Sequence, residues 1–311
     1  MTLLALDPQT QLGQPLVLGI IEGSVYGLIA LGLVLLYKSN RIFNFAQAEF
    51  GTIAALTAYF GYNGSLFGIP WHMPWLVAVL VGILLGTLSA VLTERLVIRP
   101  LFHQPKVIMV VGTVGVLLAS IAVEYLVFPT KDTASLPSVT DVGLTDPAFR
   151  VGFAGYNVAW EQVLTLFVLI AMALAAAAFF RYSRQGTAIL AVSQEPTAAA
   201  TVGISISRVS LLTWTLAGFL GSVAGIVSIG GAPLLVPGIM TGTALVGGIT
   251  AAVLGGVTSM PGAFVGGLLV GLVHQYTQAF FSFPGAQNVM VGLVLLVVLL
   301  SFPRGLLGSE T

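Results

Sequence analysis

Long runs of apolar residues, separated by short polar segments, dominate the chain. A helix needs about 20 apolar residues to cross the hydrocarbon core of a bilayer. Nine runs of roughly that length predict membrane-spanning helices, at residues 16–37, 44–62, 74–98, 107–128, 159–180, 207–230, 239–257, 261–281 and 287–302. The runs are continuous rather than alternating, which argues against a membrane β-barrel. The pattern therefore predicts an all-α polytopic membrane protein in which residues 1–311 form a single transmembrane domain.

The run at residues 239–257 differs from the others because it is rich in glycine. It is compatible with an intact span, but also with a broken or re-entrant segment. Irregular backbone is tolerated at membrane depth only where it is buried in protein or lines a cavity. The two alternatives give nine or eight transmembrane helices.

Basic residues predict the orientation of the spans. If every run crosses the membrane, nine of the 11 Lys and Arg residues fall on one side, namely Lys38, Arg41, Arg95, Arg99, Lys106, Arg181, Arg184, Arg208 and Arg304. The positive-inside rule then places the N-terminus outside and the C-terminus in the cytoplasm. That arrangement requires an odd number of crossings, which favours nine. Residues 129–158 become an external loop and residues 181–206 the longest cytoplasmic segment.

Composition supports the membrane assignment and excludes several functions. Apolar residues make up 57% of the chain and charged residues only 7%, against about 25% charged residues in a typical soluble domain. The net charge is zero, so nothing indicates binding of nucleic acid. The lack of cysteine excludes disulfides, thiolate metal sites and cysteine nucleophiles. The chain also lacks a G-x-x-x-x-G-K-[ST] phosphate loop, so we expect no ATPase site within it.

A polar stretch, NRIFNFAQAEFG at residues 40–51, stands at the start of the second predicted span. Asn44 is suited to cap a helix, and Gln47 lies three residues on, as in a capping box. On that helix Asn44, Gln47 and Gly51 share one face, and Glu49 lies on a neighbouring face. Polar side chains at such a position need a partner or a function.

Two interpretations of this stretch remain open from the residues alone. In the first, it is only a helix cap at the cytoplasmic boundary, and Glu49 pairs with Arg41 or Lys38 or complements the positive helix end. In the second, the polar helix start lies at the pore axis and lines the translocation route, since a charge facing lipid is costly.

His274 lies inside a predicted span, close to Gln275 and Gln278. A polar group within the bilayer must face protein or water. His274 is therefore a candidate for the translocation pathway, with an interhelical hydrogen bond as the alternative.

The cytoplasmic segment contains a candidate docking element. Pro196 suits the first turn of a helix, and the sequence PTAAATVG predicts a short alanine-rich helix that ends at Gly203. Such a helix makes sense if another protein covers it, with Ala199 and Ala200 facing a groove in that partner and Glu195 in a polar contact. The alternative is an ordinary connecting loop.

Blocks spread over most of the chain resemble the permease subunits of bacterial branched-chain amino acid ABC transporters. They read YGLIALGLVLLYKSNRIFNFAQAEFGTIAAL, ERLVIRPL, AVSQEPTAAATVGISISRVSLLTWTLAGFLGSVAGI, AAVLGGVTSMPGAFVGGLLVGLV and FPRGLLG. Their order and spacing are specific to that family. One element departs from it, since Gln47 and Ala48 stand where the family usually has His-Gly before its Glu.

The resemblance implies a complex in the bacterial inner membrane. Two permease subunits, this chain and a paralogue or a second copy, would form the pore for a branched-chain amino acid or a related amino acid or amide. Two cytoplasmic ATPases, which hold the ATP and Mg, would dock on the coupling loops, where Glu195, Ala199, Ala200 and Gly203 match the family. A periplasmic or lipid-anchored protein would deliver the solute, and this chain would catalyse no reaction.

An ion-coupled secondary transporter is the alternative function. Such proteins place titratable groups or broken helices near the membrane midplane. Glu22, Glu49 and Glu124 lie within or near predicted span ends. Whether ATP or an ion gradient drives uptake separates the two functions.

Overall fold

The computed structural model describes residues 8–64, 72–128, 150–153, 156–229, 235–281, 283, 285–301 and 305–307. These residues are almost entirely helical. The helices are α1 (Pro8–Asn40), α2 (Glu49–Tyr62), α3 (Trp75–Thr93), α4 (Lys106–Val127), α5 (Trp160–Tyr182), α6 (Arg184–Gln194), α7 (Pro196–Thr201), α8 (Ile206–Ile229), α9 (Val246–Gly255), α10 (Met260–Phe280) and α11 (Ala286–Ser301).

Short irregular helical segments extend three of these helices. A 3-10 turn at Phe45–Gln47 precedes α2, a π-helical turn at Glu94–Ile98 continues α3, and another at Thr241–Leu245 leads into α9. Two short strands, β1 (Arg150–Phe153) and β2 (Tyr156–Ala159), form an antiparallel hairpin just before α5. The hairpin falls in the predicted external loop, of which residues 129–149, 154 and 155 lie outside the described residues.

Each of the nine apolar runs contains a helix, so the sequence pattern located the helices correctly. Within the described part of the chain, five helical segments are long and apolar enough to cross a membrane, namely Leu12–Asn40, Trp75–Ile98, Lys106–Val127, Gln162–Tyr182 and Ile206–Ser228. The protein is therefore a multi-pass membrane protein. The count of eight or nine crossings and the orientation of the termini stay predictions.

Three helical segments among the described residues are too short to cross alone. One is α11, whose 16 residues span about 24 Å. Helix α2 has 14 residues, and the π-helical turn with α9 covers Thr241–Gly255. At 1.5 Å per residue each spans only about 21–23 Å of a hydrocarbon core that is about 30 Å thick. The glycine-rich run contains a short helix that follows irregular backbone at residues 235–238. Whether this run is an intact span or a broken segment stays a prediction.

Helix α2 lies at the centre of the bundle. Twelve of its 14 residues are buried, and it packs mainly on α3 and α8, with a smaller contact to α4. A Cβ atom on Gly225 of α8 would collide with the backbone of Gly51 on α2. Helices α1 and α10 approach equally closely, because Gly23 and Gly27 lie against Gly271 and Gly267. Small residues allow this backbone contact in lipid, where packing holds helices together.

Candidate functional site

The polar stretch forms a sharp, buried break between α1 and α2. Arg41 adopts a left-handed backbone conformation with φ of 57°, which ends α1 and turns the chain back into the bundle. The side-chain oxygen of Asn44 then accepts a hydrogen bond from the Ala46 amide at 3.0 Å. The predicted capping role of Asn44 is confirmed, although the helix it caps is the 3-10 turn before α2.

Gln47 connects this break to a neighbouring helix. Its side-chain oxygen accepts from the Asn44 amide group at 3.4 Å, and its Nε2 donates to the Ala217 carbonyl of α8 at 2.8 Å. The Phe45 amide donates to the hydroxyl of Thr113 on α4 at 3.2 Å. The proposed capping box is therefore wrong in one detail, because Gln47 bonds the side chain of Asn44 and then reaches across to α8.

The four residues predicted to lie on the pathway in this stretch are all buried by the chain itself. Asn44, Gln47 and Glu49 have no exposed surface, and Gly51 packs on Gly221 and Gly225 of α8. None of them faces lipid. Whether they line the translocation route stays a prediction, since the structure shows them in a closed arrangement.

Glu49 and Glu124 bring two carboxyl groups together inside the protein. Glu49 is the first residue of α2, Glu124 lies in the last turn of α4, and the two side chains are in contact. They are 0% and 2% exposed. One oxygen of Glu124 accepts from the Gly238 amide at 2.9 Å. Neither oxygen of Glu49 has a well-formed hydrogen bond, although Thr52 and Thr241 lie beside it.

The expected pairing of Glu49 with Arg41 or Lys38 is wrong. The Arg41 guanidinium donates instead to the carbonyl of Ser193 at 2.9 Å, and Glu49 forms no ion pair with any residue that the structure describes. The 3-10 turn carries Glu49 inward, away from both cations. Its position at the start of α2 does agree with the other part of that interpretation, because a carboxylate complements a positive helix end.

Two short helices begin at this carboxyl pair. The Met240 amide, just before the π-helical turn of α9, donates to the Thr52 hydroxyl of α2 at 3.3 Å. The N-terminal ends of α2 and of the α9 segment therefore meet beside Glu49 and Glu124. Such ends carry partial positive charge, and transporters place helix breaks of this kind around their substrate and ion sites.

The short helix predicted within residues 181–206 is confirmed. Helix α7 covers Pro196–Thr201 with proline at its first position. Gly203 has φ of 88° and donates to the Ala200 carbonyl at 3.0 Å, which closes the helix. The sequence did not predict α6, which lies immediately before it. Together α6 and α7 form a helical unit, here called the α6–α7 unit, between α5 and α8.

The surface of the α6–α7 unit differs from the prediction at one residue. Glu195, Ala200 and Gly203 are exposed, as a docking surface requires. Ala199 is only 4% exposed and lies in the same apolar cluster as Ile189 of α6. The expectation that Ala199 faces a partner is therefore wrong, because its face of α7 packs on the protein's own core.

Direct contacts join the α6–α7 unit to the buried break. The Arg41–Ser193 bond connects the break to the C-terminal end of α6. The hydroxyls of Ser39 and Thr213 lie 2.9 Å apart and connect the end of α1 to α8, the helix that also accepts from Gln47. A displacement of the α6–α7 unit would thus reach the buried polar residues through hydrogen bonds.

His274 belongs to a separate cluster between α1 and α10. Its Nδ1 lies 2.9 Å from one oxygen of Glu22, to which Gln275 also donates at 2.6 Å. Tyr26 donates to the other oxygen at 2.5 Å. Glu22 precedes the break at Arg41 by about 28 Å along α1, so His274 does not join Asn44 and Gln47. The interhelical bond is confirmed, and a pathway role stays a prediction.

Sequence reasoning missed two residues of the site, Glu124 as the partner of Glu49 and Arg41 as the link to α6. Glu124 is an isolated acid in an apolar run, which is a signal for a functional position in a membrane. Its partner could not be named, because the two glutamates are 75 positions apart in the sequence. Arg41 appeared as a boundary charge and as a candidate partner of Glu49, but not as a contact of α6.

Comparison with known proteins gives one family over nearly the whole chain. Residues 16–299 match the family described as the permease component of the branched-chain amino acid transport system. The chain is 29% identical over 295 residues to the high-affinity branched-chain amino acid transport system permease protein LivH of Escherichia coli K12, with 93% of each chain covered. It is 29% identical over 302 residues to BraD of Pseudomonas aeruginosa, with 95% of each chain covered.

One solved structure is similar over most of its length. PsaBC from Streptococcus pneumoniae, determined in complex with a Fab, covers 92% of this chain and 91% of its own, with a TM-score of 0.48 and 11% sequence identity. The family match over residues 16–299 is the finding that assigns the chain. The protein accordingly belongs to the family of permease components of branched-chain amino acid transport systems.

Proposed function

We propose that this permease is the membrane-spanning subunit of an ATP-driven importer. Its solute would be a branched-chain amino acid or a related small amino acid or amide, as the names of its relatives suggest. The observation that carries the ATP-driven part is the α6–α7 unit, an exposed helical unit that is hydrogen-bonded to the buried break. Its placement in the bacterial inner membrane rests on the family.

The proposed assembly has a pore of two permease subunits, formed with a paralogue or with a second copy. Two cytoplasmic ATPases dock on the α6–α7 units and hold the ATP and Mg, and a periplasmic or lipid-anchored protein delivers the solute. The described part of α5 supports such an assembly, because its outward face is long, apolar and largely uncovered within one chain. That face is free for lipid and for the second permease subunit.

The structure suggests how an ATPase movement would reach the pathway. A partner that contacts Glu195 and Ala200 would push or rotate the α6–α7 unit. Arg41 and α8 would pass this movement to the start of α2. Because Asn44, Gln47 and Glu49 are fully buried here, transport requires α2 or its neighbours to separate during the cycle. Bistable packing of this kind amplifies small displacements.

Cysteine substitution tests the pathway role, because the chain has no native cysteine. Single cysteines at positions 44, 47 and 51 should react with a small water-soluble thiol reagent in at least one state of the ATP cycle. A cysteine in place of Leu126, which is 86% exposed on α4, serves as a lipid-facing control. If none of the three positions reacts in any state, only the capping and packing roles remain.

An ion-coupled transporter remains the second candidate, because one observation favours it. The buried pair Glu49–Glu124, placed where two short helices begin, is the type of site at which secondary transporters bind protons or cations. Uptake by proteoliposomes separates the two functions. We expect transport only when the ATPase subunits and ATP are present, and uptake driven by a proton or sodium gradient without them would support the alternative.

A further inference from the structure

A groove on the membrane-facing surface has no role in the transport cycle described above. It has a volume of about 610 Å³ and lies between α1, α5 and α10. Its walls are mainly aliphatic and aromatic, with Leu31 on α1, Leu174 on α5 and Phe264 on α10. A volume of this size is typical of cavities that hold a small ligand.

The groove exists because α5 is rich in alanine where it passes the other two helices. Ala173, Ala176 and Ala177 line it, and side chains this small cannot fill the space between α1 and α10. Leu174 at its rim is 65% exposed. The groove is therefore open toward the surroundings of the bundle rather than sealed inside it.

Two cations stand at one end of this apolar groove. Lys38 lies in the last turn of α1 and Arg181 in the last turn of α5, and both line the groove. Neither forms an ion pair with an acidic side chain among the residues with described positions. The hydroxyl-bearing Thr258 lies at the same end, in the turn before α10. Positive charge at the end of an apolar channel suits an amphiphile with an anionic head group.

The predicted position of the two cations fits the anionic lipids of the cytoplasmic leaflet. Lys38 and Arg181 belong to the set of basic residues that predicts the cytoplasmic side. Anionic lipids give the cytoplasmic leaflet a negative surface potential, and basic pockets between transmembrane helices on that side bind lipid head groups. A helix from a second permease subunit would have to supply carboxylates at this level to satisfy both cations.

We propose that the groove binds one anionic phospholipid of the cytoplasmic leaflet. Its phosphate would lie between Lys38 and Arg181, and one acyl chain would run along Ala173, Ala177 and Phe264. Bound there, the lipid would fill the space between α5 and the α1–α10 pair. This inference does not depend on the solute or on the ATPase partners.

Quenching by brominated lipids tests the proposal on the full-length chain. A Leu174→Cys variant carries a thiol-reactive fluorophore at the rim of the groove and is reconstituted into phosphatidylcholine vesicles. Brominated phosphatidylglycerol is then compared with brominated phosphatidylcholine as the quencher. We expect the anionic lipid to be preferred by roughly fivefold for each of the two cations, the order of magnitude for a basic residue at an anionic membrane. The Lys38→Gln/Arg181→Gln double variant should lose that preference.

Two controls keep the result specific. A fluorophore at Leu118→Cys, on the exposed face of α4 (61% exposed), should be quenched equally by both lipids in every variant. Thermal unfolding of the double variant checks that it is folded. Lys106→Gln removes a cation predicted to lie on the same side but outside the groove, and should leave the preference at position 174 unchanged. Equal quenching by both lipids at position 174 would overturn the proposal. So would a preference that survives the double variant, or a lack of quenching by either lipid, which would mean that protein covers the groove.

Discussion

At the scale of single residues, Arg41 is the point at which the exposed and buried parts of the site meet. Its guanidinium donates to the end of α6, and its left-handed backbone turns the chain toward α2. A hydrogen bond made by a charged group contributes about 1.5–3 kcal/mol. We expect this bond to add stability of that order and also to couple ATP hydrolysis to transport, because it joins α6 to the buried break.

The matched variants Arg41→Gly and Arg41→Ala test that role. Both remove the guanidinium, but glycine adopts the left-handed conformation without strain. Arg41→Gly should still fold and bind the ATPase, with a loss of stability of at most about 1.5–3 kcal/mol, while solute uptake per ATP hydrolysed falls severalfold. Arg41→Ala should show the same uncoupling with lower thermal stability. Normal coupling in Arg41→Gly would remove the Arg41–Ser193 contact from the mechanism.

The hydrogen bond that Glu124 accepts from Gly238 can be tested separately from the negative charge of Glu124. Its carboxyl accepts from the Gly238 amide, and Glu124→Gln keeps an acceptor there, so we expect little change in stability. Glu124→Leu leaves that buried amide unsatisfied, at a cost of about 1–3 kcal/mol. Thermal unfolding in detergent should show this difference between the two variants. Equal melting temperatures would mean that the bond to Gly238 does not fasten α4 to the rest of the site.

At the scale of helices, α2 packs closely on α8, and we expect the proposed pathway to depend on that contact. Gly225→Ala places a methyl group against the backbone of Gly51, and overpacking of this kind typically costs about 1–3 kcal/mol. We expect reduced stability and reduced transport. Gly115→Ala on α4 is the control, because a Cβ atom there meets nothing within 4 Å. Comparable losses in both variants would contradict the packing described.

The helices themselves were predictable from sequence, whereas their orientations and several contacts were not. Apolar runs located each long helix, because lipid imposes length and hydrophobicity on a span. Helix α6 was missed, since it has only 11 residues and its apolar run, residues 188–192, is far too short to indicate a span. The inward orientation of the Ala199 side chain depends on the neighbouring helices, and the sequence alone does not reveal it.

The same limit applied to the carboxyl pair. Each glutamate was visible as an acid within or near an apolar run, but only the packing of α4 on the start of α2 brings Glu49 and Glu124 together. The pairing of Glu49 with Arg41 or Lys38 was predicted from closeness in sequence, and the 3-10 turn between them separates the groups. Sequence therefore identified the polar stretch, whereas its partners depended on the three-dimensional packing.

The two faces of α7 predict opposite effects for neighbouring alanines. Ala199 is buried on the protein's own core and Ala200 is exposed. Ala199→Arg should lower stability, since it forces a charge into an apolar cluster. Ala200→Arg should leave the permease folded but block a closely packed partner. Thermal unfolding of the isolated permease separates the two, and equal destabilisation by both variants would contradict the orientation of α7.

At the scale of the whole molecule, the orientation in the membrane follows from the distribution of basic residues. We expect the N-terminus outside and the C-terminus in the cytoplasm, with the α6–α7 unit on the cytoplasmic side. Reporter fusions at the two ends measure this. Reporters on the same side would reduce the number of crossings to an even one, and the short α9 segment would then be the one that fails to cross.

The described residues form a helical bundle around α2, and this bundle carries the exposed α6–α7 unit. The close contacts between α1 and α10 and between α2 and α8 hold the bundle together. The hydrogen bond of Arg41 connects the α6–α7 unit to the buried break. The hydrogen bond of Gln47 connects that break to α8 inside the bundle. We propose that an ATPase moves the α6–α7 unit and so opens the buried polar segment.

Substrate-stimulated ATP hydrolysis by the reconstituted complex tests that claim most directly. The wild-type permease is compared with Ala200→Arg and Glu195→Lys, and Lys106→Gln serves as a control outside the α6–α7 unit. We predict that the two variants of the α6–α7 unit fold normally but lose co-purification of the ATPase and stimulated hydrolysis. The control should keep co-purification and stimulated hydrolysis. Wild-type binding and stimulation in Ala200→Arg and Glu195→Lys would contradict the claim that ATP drives transport through the α6–α7 unit.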